Sequence, residues 1–151
     1  CGMMMRGLRA LQYVKTLPEW DGVNLITSGV SQGGMQCLTI AGLDPDVTEV
    51  HAVIPWFCDV SGAEKNGRID SWFMPRWVDG LGYFDTTNHA KRIRGKVEIY
   101  AGLGDYVSPP SGVAVLYNSI KSEVKLQFRQ GRTHEFEMPD SELFSLEKPA
   151  E

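Results

Sequence analysis

Val23-Asn24-Leu25-Ile26-Thr27-Ser28-Gly29-Val30-Ser31-Gln32-Gly33-Gly34-Met35-Gln36-Cys37-Leu38-Thr39-Ile40-Ala41-Gly42-Leu43 is the stretch that decides the fold. Its first part, Val23 to Val30, is an apolar, β-branched run interrupted by Asn24 and Thr27 before Ser28, and such runs suit a sheet covered on both faces. Its last part, Met35 to Leu43, is helix-forming and ends near Gly42, a candidate left-handed cap. Between them stands G-x-S-x-G in the order strand, sharp turn, helix. Glycines two before and two after Ser31 let the chain fold tightly enough to hold that serine in a strained conformation. Its hydroxyl is then exposed at the C-terminal end of a sheet. The backbone N–H of Gln32, at the start of the following helix, points where a developing oxyanion would lie.

Two further segments repeat the pattern of a strand ending in a glycine-bordered loop with one titratable residue. Lys96 to Leu103 leads into Gly104-Asp105-Tyr106-Val107-Ser108-Pro109-Pro110, and Glu123 to Phe128 leads into Gly131-Arg132-Thr133-His134-Glu135. The chain order serine, acid, histidine is that of an α/β-hydrolase triad. Doubly wound α/β sheets also carry their chemistry at the C-terminal ends of the strands. A serine hydroxyl is a poor nucleophile until a base accepts its proton, and imidazole serves near neutral pH. Asp105 would then hold the ring in the right tautomer and stabilise the imidazolium. The plain alternatives are a loop histidine and a turn aspartate. Glu135, adjacent to His134, is expected to point away and bond to the loop or a neighbouring strand.

The remaining elements follow from periodicity. A first helix is expected over about Met4 to Leu17, where Met4, Leu8, Leu11 and Val14 fall at helical spacing and Pro18 stops the run. Asp44-Pro45-Asp46 reads as a turn. A second strand spans Val50 to Pro55. His51 within it reads as an edge or packed histidine, since no partner histidine or cysteine has metal spacing. Residues 56 to 84 hold Trp56, Phe57, Trp72, Phe73, Trp77, Tyr83 and Phe84 among scattered glycines. Two readings stay open for this aromatic stretch. Trp56, Trp72 and Trp77 line a substrate pocket, or the rings form the satellite core of a lid. Further helices are expected from Thr86 or Thr87 to Arg92, from Pro110 or Ser111 to about Ile120, and from about Asp140 to Leu146. The result is an α/β fold of four parallel strands in chain order, with helices on both faces.

Composition bounds the function classes. The chain has 151 residues, a single-domain length, with 42% hydrophobic and 23% charged residues. A net charge of −4 leaves no electrostatic footprint for nucleic acid and no basic face for an anionic membrane. No run of about 18 apolar residues is present, so no transmembrane helix is expected. Cys1, Cys37 and Cys58 form neither a disulfide framework nor a zinc pattern. No zinc site is expected from these spacings, and the cellular compartment stays open.

Gly29-x-Ser31-Gln32-Gly33-Gly34, Gly104-x-x-x-Val107-x-Pro109-Pro110-Ser111 around Asp105, and His134-Glu135 together resemble the acetyl xylan esterase and cephalosporin C deacetylase family of α/β-hydrolases. Arg9-Ala10-Leu11 to Leu17-Pro18-Glu19 and Tyr117-Asn118 resemble the family's flanking helices. The resemblance covers roughly residues 5 to 145. It implies a serine carboxylesterase that releases acetate from acetylated xylo-oligosaccharides or related small sugars, with no metal or organic cofactor. The residues matched are Ser31 as nucleophile, Asp105 and His134 as acid and base, and the Gln32 N–H as one oxyanion donor. Two departures are visible. Val30 stands where the family has glycine, and no Arg-Gly-Gln motif, near which the family's second oxyanion donor lies, precedes Ser31. Residues 1–151 accordingly read as the C-terminal portion of an α/β-hydrolase catalytic domain, which implies that Val23 to Val30 is a sheet edge, its usual neighbour belonging to the family's first half. The alternative expectation is a truncated, inactive or partner-dependent piece of such an esterase, and a homo-oligomer is left open.

Overall fold

The computed structural model describes residues 2–65, 67 and 75–151. Trp72 and Phe73 lie outside the described residues. Helix α1 spans Gly2–Val14, β1 Ile26–Val30, α2 Gln32–Leu43, β2 Glu49–Val53 and α3 Val60–Lys65. Then come a short 3-10 turn at Leu81–Tyr83, α4 Thr86–Ala90, β3 Lys96–Gly102, α5 Pro110–Ser119, β4 Val124–Arg129 and β5 Leu143–Lys148. The sheet runs β1-β2-β3-β4-β5, so the first four strands stand in chain order and β1 is an edge, as expected. All of their pairings are parallel, with Val30 opposite Val53 and Val53 opposite Tyr100.

Two expectations are corrected. The segment expected as a final helix, about Asp140 to Leu146, is instead the strand β5, antiparallel to β4. Leu143, Leu146 and Glu147 are good helix formers, but a helix this short gains little against its nucleation cost. The open edge of β4 offers a full ladder, and Arg129 Nη1 also binds the carbonyls of Pro139 and Ser141 at 2.7 and 2.9 Å. The second correction concerns the helices, which do not cover both faces. α1 packs on α2, α2 on β1, β2 and α4, α4 on α5, and α5 on β3 and β4, in one contiguous layer. The physical reason lies in the strand order itself. Crossovers of one hand between successively adjacent parallel strands all pass on the same side of the sheet.

The two faces of the sheet therefore differ. Inward residues Val50, Ala52, Val97, Ile99, Val124 and Leu126 are almost fully buried against Leu38, Val113 and Leu116 from the helices. The outer face alternates with them and is polar and half-exposed: Glu49, His51, Glu98, Tyr100, Lys125, Gln127 and Arg129. The strand boundary also moves at β1, which starts at Ile26 because Asp21 Oδ1 accepts from the N–H groups of Val23 and Asn24 in a local turn.

Buried Asp85 holds the crossover between β2 and β3. It caps α4 by accepting from Thr87 N at 2.9 Å. The same carboxylate accepts from Asp59 N at 3.0 Å and Val60 N at 2.7 Å, where α3 begins. Three non-glycine residues in this passage, Ile54, Phe57 and Asp59, have positive φ of 42°, 63° and 56°. Strained backbone of this kind persists only where its surroundings hold it, and Asp85 supplies part of that hold.

Both sheet edges carry exposed apolar side chains, Ile26 and Val30 on β1 and Leu143, Phe144 and Leu146 on β5. Unpaired edges of this composition template association. Sedimentation velocity across a concentration series should show self-association of the chain. Ile26→Lys and Leu146→Lys together should shift it toward monomer, whereas an unchanged distribution would exclude the edges as the associating surfaces.

Candidate active site

Ser31 connects β1 to α2 with φ 53° and ψ −114°, a conformation outside the usual regions for a residue with a side chain. The turn is clamped by the end of β2. Ser31 N–H donates to the Val53 carbonyl at 2.8 Å, and the Ser31 carbonyl accepts from Met35 N at 3.0 Å and Trp56 N at 3.1 Å. Of the two motif glycines, Gly29 is the sterically required one. A Cβ there would lie 2.3 Å from the backbone of Gly33, whereas one on Gly33 would meet nothing within 4 Å. Gln32 is the first residue of α2, so its N–H has no acceptor inside the helix. It stands at the positive end of that helix's dipole.

The three residues read from strand ends lie in one hydrogen-bonded line. Ser31 Oγ is 2.9 Å from His134 Nε2. His134 Nδ1 is 2.9 and 3.1 Å from the two Asp105 oxygens. Asp105 has a fully buried side chain, and its Oδ1 accepts from Val107 N at 2.9 Å and Ser108 N at 2.7 Å, which closes the acid loop over it. A carboxylate only accepts, so the Nδ1 it faces carries the ring proton. Nε2 then presents its lone pair to the serine hydroxyl. Next to this line, Tyr106 OH donates to Glu135 Oε1 at 2.8 Å, tying the residue after the acid to the residue after the histidine. That hydrogen bond is the first cause of the raised Tyr106 hydroxyl pKa. Glu135 thus bonds to the acid loop, whereas a bond to its own loop or to a neighbouring strand was expected.

The aromatic residues divide. Trp56 stands beside the elbow through its backbone, and its ring meets Phe57 edge-on at 5.0 Å. With Met3, Met4, Met35, Phe57, Leu81 and Phe84 it lines an apolar cavity of about 170 Å³. Trp77 lines a separate cavity of about 430 Å³ with Tyr83, His89 and Arg92. Ser31, Asp105 and His134 line neither. The side chains of Trp56, Trp77, Leu81 and Phe84 pack on a small cluster of Met4, Met35, Phe57 and Val60, distinct from the main core.

Among the described residues, one group of metal-type donors comes together. Glu49, His51 and Glu98 place ligand atoms within 4.8 Å of one another on the outer face. Reasoning from histidine and cysteine spacing missed it, because two of its members are carboxylates and one lies across the strand pairing His51–Glu98. His51 has Glu49 at 3.1 Å on Nε2 and Glu98 at 3.4 Å on Nδ1, and Lys96 pairs with Glu98 at 2.9 Å. The Lys96 hydrogen bond is the main reason the Glu98 carboxyl titrates below its usual range. Both ring nitrogens face carboxylates, and the group reads as a polar network tied to Lys96.

An α/β-hydrolase sheet with a strained serine at the β1–α2 turn defines the class. The profile of the acetyl xylan esterase (AXE1) family matches residues 3–69 and 75–143, and the chain belongs to that family. It is 38% identical over 121 residues to acetyl esterase Axe7A of Xylanibacter ruminicola, covering 75% of this chain and 28% of that protein. Among solved structures it resembles acetyl xylan esterase 1 from Thermoanaerobacterium sp. JW/SL YS485, with TM-score 0.77 and 29% identity over 91% of this chain and 48% of that one. It also resembles the acetyl xylan esterase from Paenibacillus sp. R4, with TM-score 0.75 and 27% identity over 88% and 47%. The chain thus spans about half the length of these solved relatives. Among the described residues, no helix is long and apolar enough to cross a membrane.

The thiols of the core take no part in the site. Cys37 lies in α2 and burial pushes its pKa up to about 12, while burial also raises Cys58 well above the ordinary thiol range. Both should stay unmodified by a thiol-reactive disulfide at pH 8, as read by peptide mass mapping, and should react once the chain is unfolded. For Cys37 the raised pKa favours the neutral thiol in the fold, so that contribution is complete below the ordinary thiol pKa of about 8.5 and is lost as pH rises through about 12. Modification of either thiol in the native protein at the unfolded rate would contradict their burial.

Proposed function

We propose that the chain carries the catalytic half of a serine carboxylesterase that releases acetate from acetylated xylo-oligosaccharides or similar small sugars. The observation that carries the reading is the 2.9 Å contact of Ser31 Oγ with His134 Nε2, with Asp105 behind the ring. The similarity to acetyl xylan esterases supports the acetyl group and the carbohydrate. In the reading, Ser31 Oγ attacks the ester carbonyl carbon as its proton passes to His134 Nε2. The Gln32 N–H meets the oxyanion that forms. Collapse expels the sugar oxygen, which takes the proton from His134 and leaves acetyl on Ser31. Water then attacks, giving its proton to His134, and acetate departs as Ser31 regains a proton. Asp105 holds the ring and offsets the imidazolium charge throughout.

A second reading is favoured by the open β1 edge with Ile26 and Val30 exposed. Here turnover needs further sheet strands, supplied by a longer polypeptide or a partner, that contribute a second oxyanion donor. Hydrolysis of p-nitrophenyl acetate by the chain alone, compared with the chain inside a longer polypeptide that precedes it with such strands, separates the two. In whichever form is active, Ser31→Ala and His134→Ala should each cost on the order of a thousandfold or more in kcat. Asp105→Asn should keep the fold and lose activity through the wrong tautomer. Activity within a few-fold of the parent in Ser31→Ala would end the proposal.

Acyl-chain preference provides a further test. Each added methylene gains about 0.8 kcal/mol when buried, so a steep fall from acetyl to butyryl esters would mean that a wall excludes the longer chain. Trp56 is bonded to the elbow through its backbone, its N–H donating to the Ser31 carbonyl at 3.1 Å, and in this reading its side chain supplies that wall. Trp56→Ala should raise butyryl relative to acetyl turnover. An unchanged ratio would assign that ring to core packing.

A further inference from the structure

His134 sits at the tip of a two-residue turn. Thr133 N donates to the Phe136 carbonyl at 2.8 Å, and Phe136 N donates to Thr133 Oγ1 at 3.0 Å. An antiparallel bridge between Arg132 and Glu137 closes the loop behind that turn. Glu135 and Phe136 at the tip are exposed and His134 is partly buried, so the direction of the tip depends on what holds the base.

The base is held on the outer face of β3. Glu137 Oε1 accepts from Tyr100 OH at 2.5 Å, and Glu137 Oε2 accepts from Arg132 Nη1. Arg132 lies with its guanidinium carbon 4.8 Å from the centroid of the Tyr100 ring, a cation–π arrangement. Arg129 Nε donates to Tyr100 OH at 2.9 Å and lies 3.4 Å from Glu137 Oε1, while its Nη1 holds the carbonyls of Pro139 and Ser141. The backbone is seated as closely. The Arg132 carbonyl accepts from Gly104 N at 3.0 Å, and a Cβ on Gly102 would come within 2.3 Å of the same oxygen. One strand, β3, therefore carries both the Asp105 loop at its end and the seat of the His134 loop on its face.

We propose that Tyr100, Glu137 and Arg132 form a positioning latch that aims His134 Nε2 at Ser31 and Nδ1 at Asp105. The proposal rests on the esterase reading of those three residues. None of the latch residues touches the reacting atoms. Their part is to fix the turn in one direction, where a misplacement of about 1 Å costs on the order of a hundredfold in rate. The charge pattern suits this role. The Tyr100 hydroxyl, then the two arginines, hold the Glu137 carboxyl below its usual range, so it stays ionised and keeps both partners across neutral pH. A loop fastened only by apolar contacts could rotate, whereas a planar guanidinium stacked on one ring and paired with one carboxylate has few alternatives.

The test uses two readouts that folding alone does not set. One is the rate at which a fluorophosphonate ester labels Ser31, which needs a correctly aimed base. The other is the downfield proton resonance of His134 Nδ1–H bonded to Asp105. Glu137→Gln removes the charge at constant size, and Tyr100→Phe keeps the ring under Arg132 but removes the hydroxyl. Each should lower the labelling rate roughly tenfold to a hundredfold and weaken or shift the resonance. Turnover, where measurable, should fall in kcat with KM little changed. Glu137→Asp, which keeps the charge, should recover part of the rate. If Glu137→Gln melts early, Tyr100→Phe carries the test alone. Both variants labelling at the parent rate with an unchanged resonance would overturn the latch. A Ser31→Ala chain that labels as fast as the parent would instead overturn the esterase reading, so the two failures are distinct.

Discussion

The structure turns on the clamp that the end of β2 places on Ser31. A serine at φ 53° and ψ −114° costs about 1–3 kcal/mol in backbone strain. It is held because Val53 takes its N–H, Trp56 gives an N–H to its carbonyl, and Gly29 lets the turn close on Gly33. Those contacts exist only in the register that sets Val30 opposite Val53. Sheet pairing, elbow geometry and the direction of the serine hydroxyl are therefore one constraint. The passage that leaves β2 shares the load, with positive φ at Ile54, Phe57 and Asp59 and the buried Asp85 carboxylate beneath it.

From that clamp the remaining groups are placed by strand order. β3 and β4 follow in parallel, so their C-terminal loops arrive on the same rim as Ser31 and bring Asp105 and His134 within hydrogen-bond reach. The same order places the helix layer on one face and leaves the other polar. That outer face holds the Tyr100–Glu137–Arg132 cluster under the histidine loop and, further along, the His51 network between Glu49 and Glu98.

The residues of the line were readable from the sequence because each sits at a local boundary, where an apolar run stops and glycines begin. Ser31, Asp105 and His134 are marked that way, whereas the edge position of the first strand came from the family resemblance alone. The direction of the last segment was not readable. Leu143 to Lys148 is short and compatible with helix or strand, and only the empty edge of β4 decides between them. The single helix layer was also hidden, since it follows from how crossovers add up and not from any one segment. Tyr100, Glu137 and Arg132 carry no motif, and they meet only when β3 and the histidine loop are brought together. Asp85 did have a signal, an acid directly before Thr86-Thr87 at a helix start. Its second duty toward α3 joins residues 25 and 26 positions apart, and no local rule reports that. The pocket was the least legible part, because Trp56 and Trp77 go to different cavities.

The acyl-enzyme is the state in which the proposed chemistry is most directly visible. Rapid mixing of the active form with p-nitrophenyl acetate, acid quenching and peptide mass mapping would locate the acetyl group. The structure predicts a burst of nitrophenol close to one equivalent per chain, with acetyl on the peptide that contains Ser31 and no burst when His134 is replaced by alanine. Acetyl found on another residue, or a full burst without His134, would contradict the serine–histidine–aspartate line as the working centre of this protein.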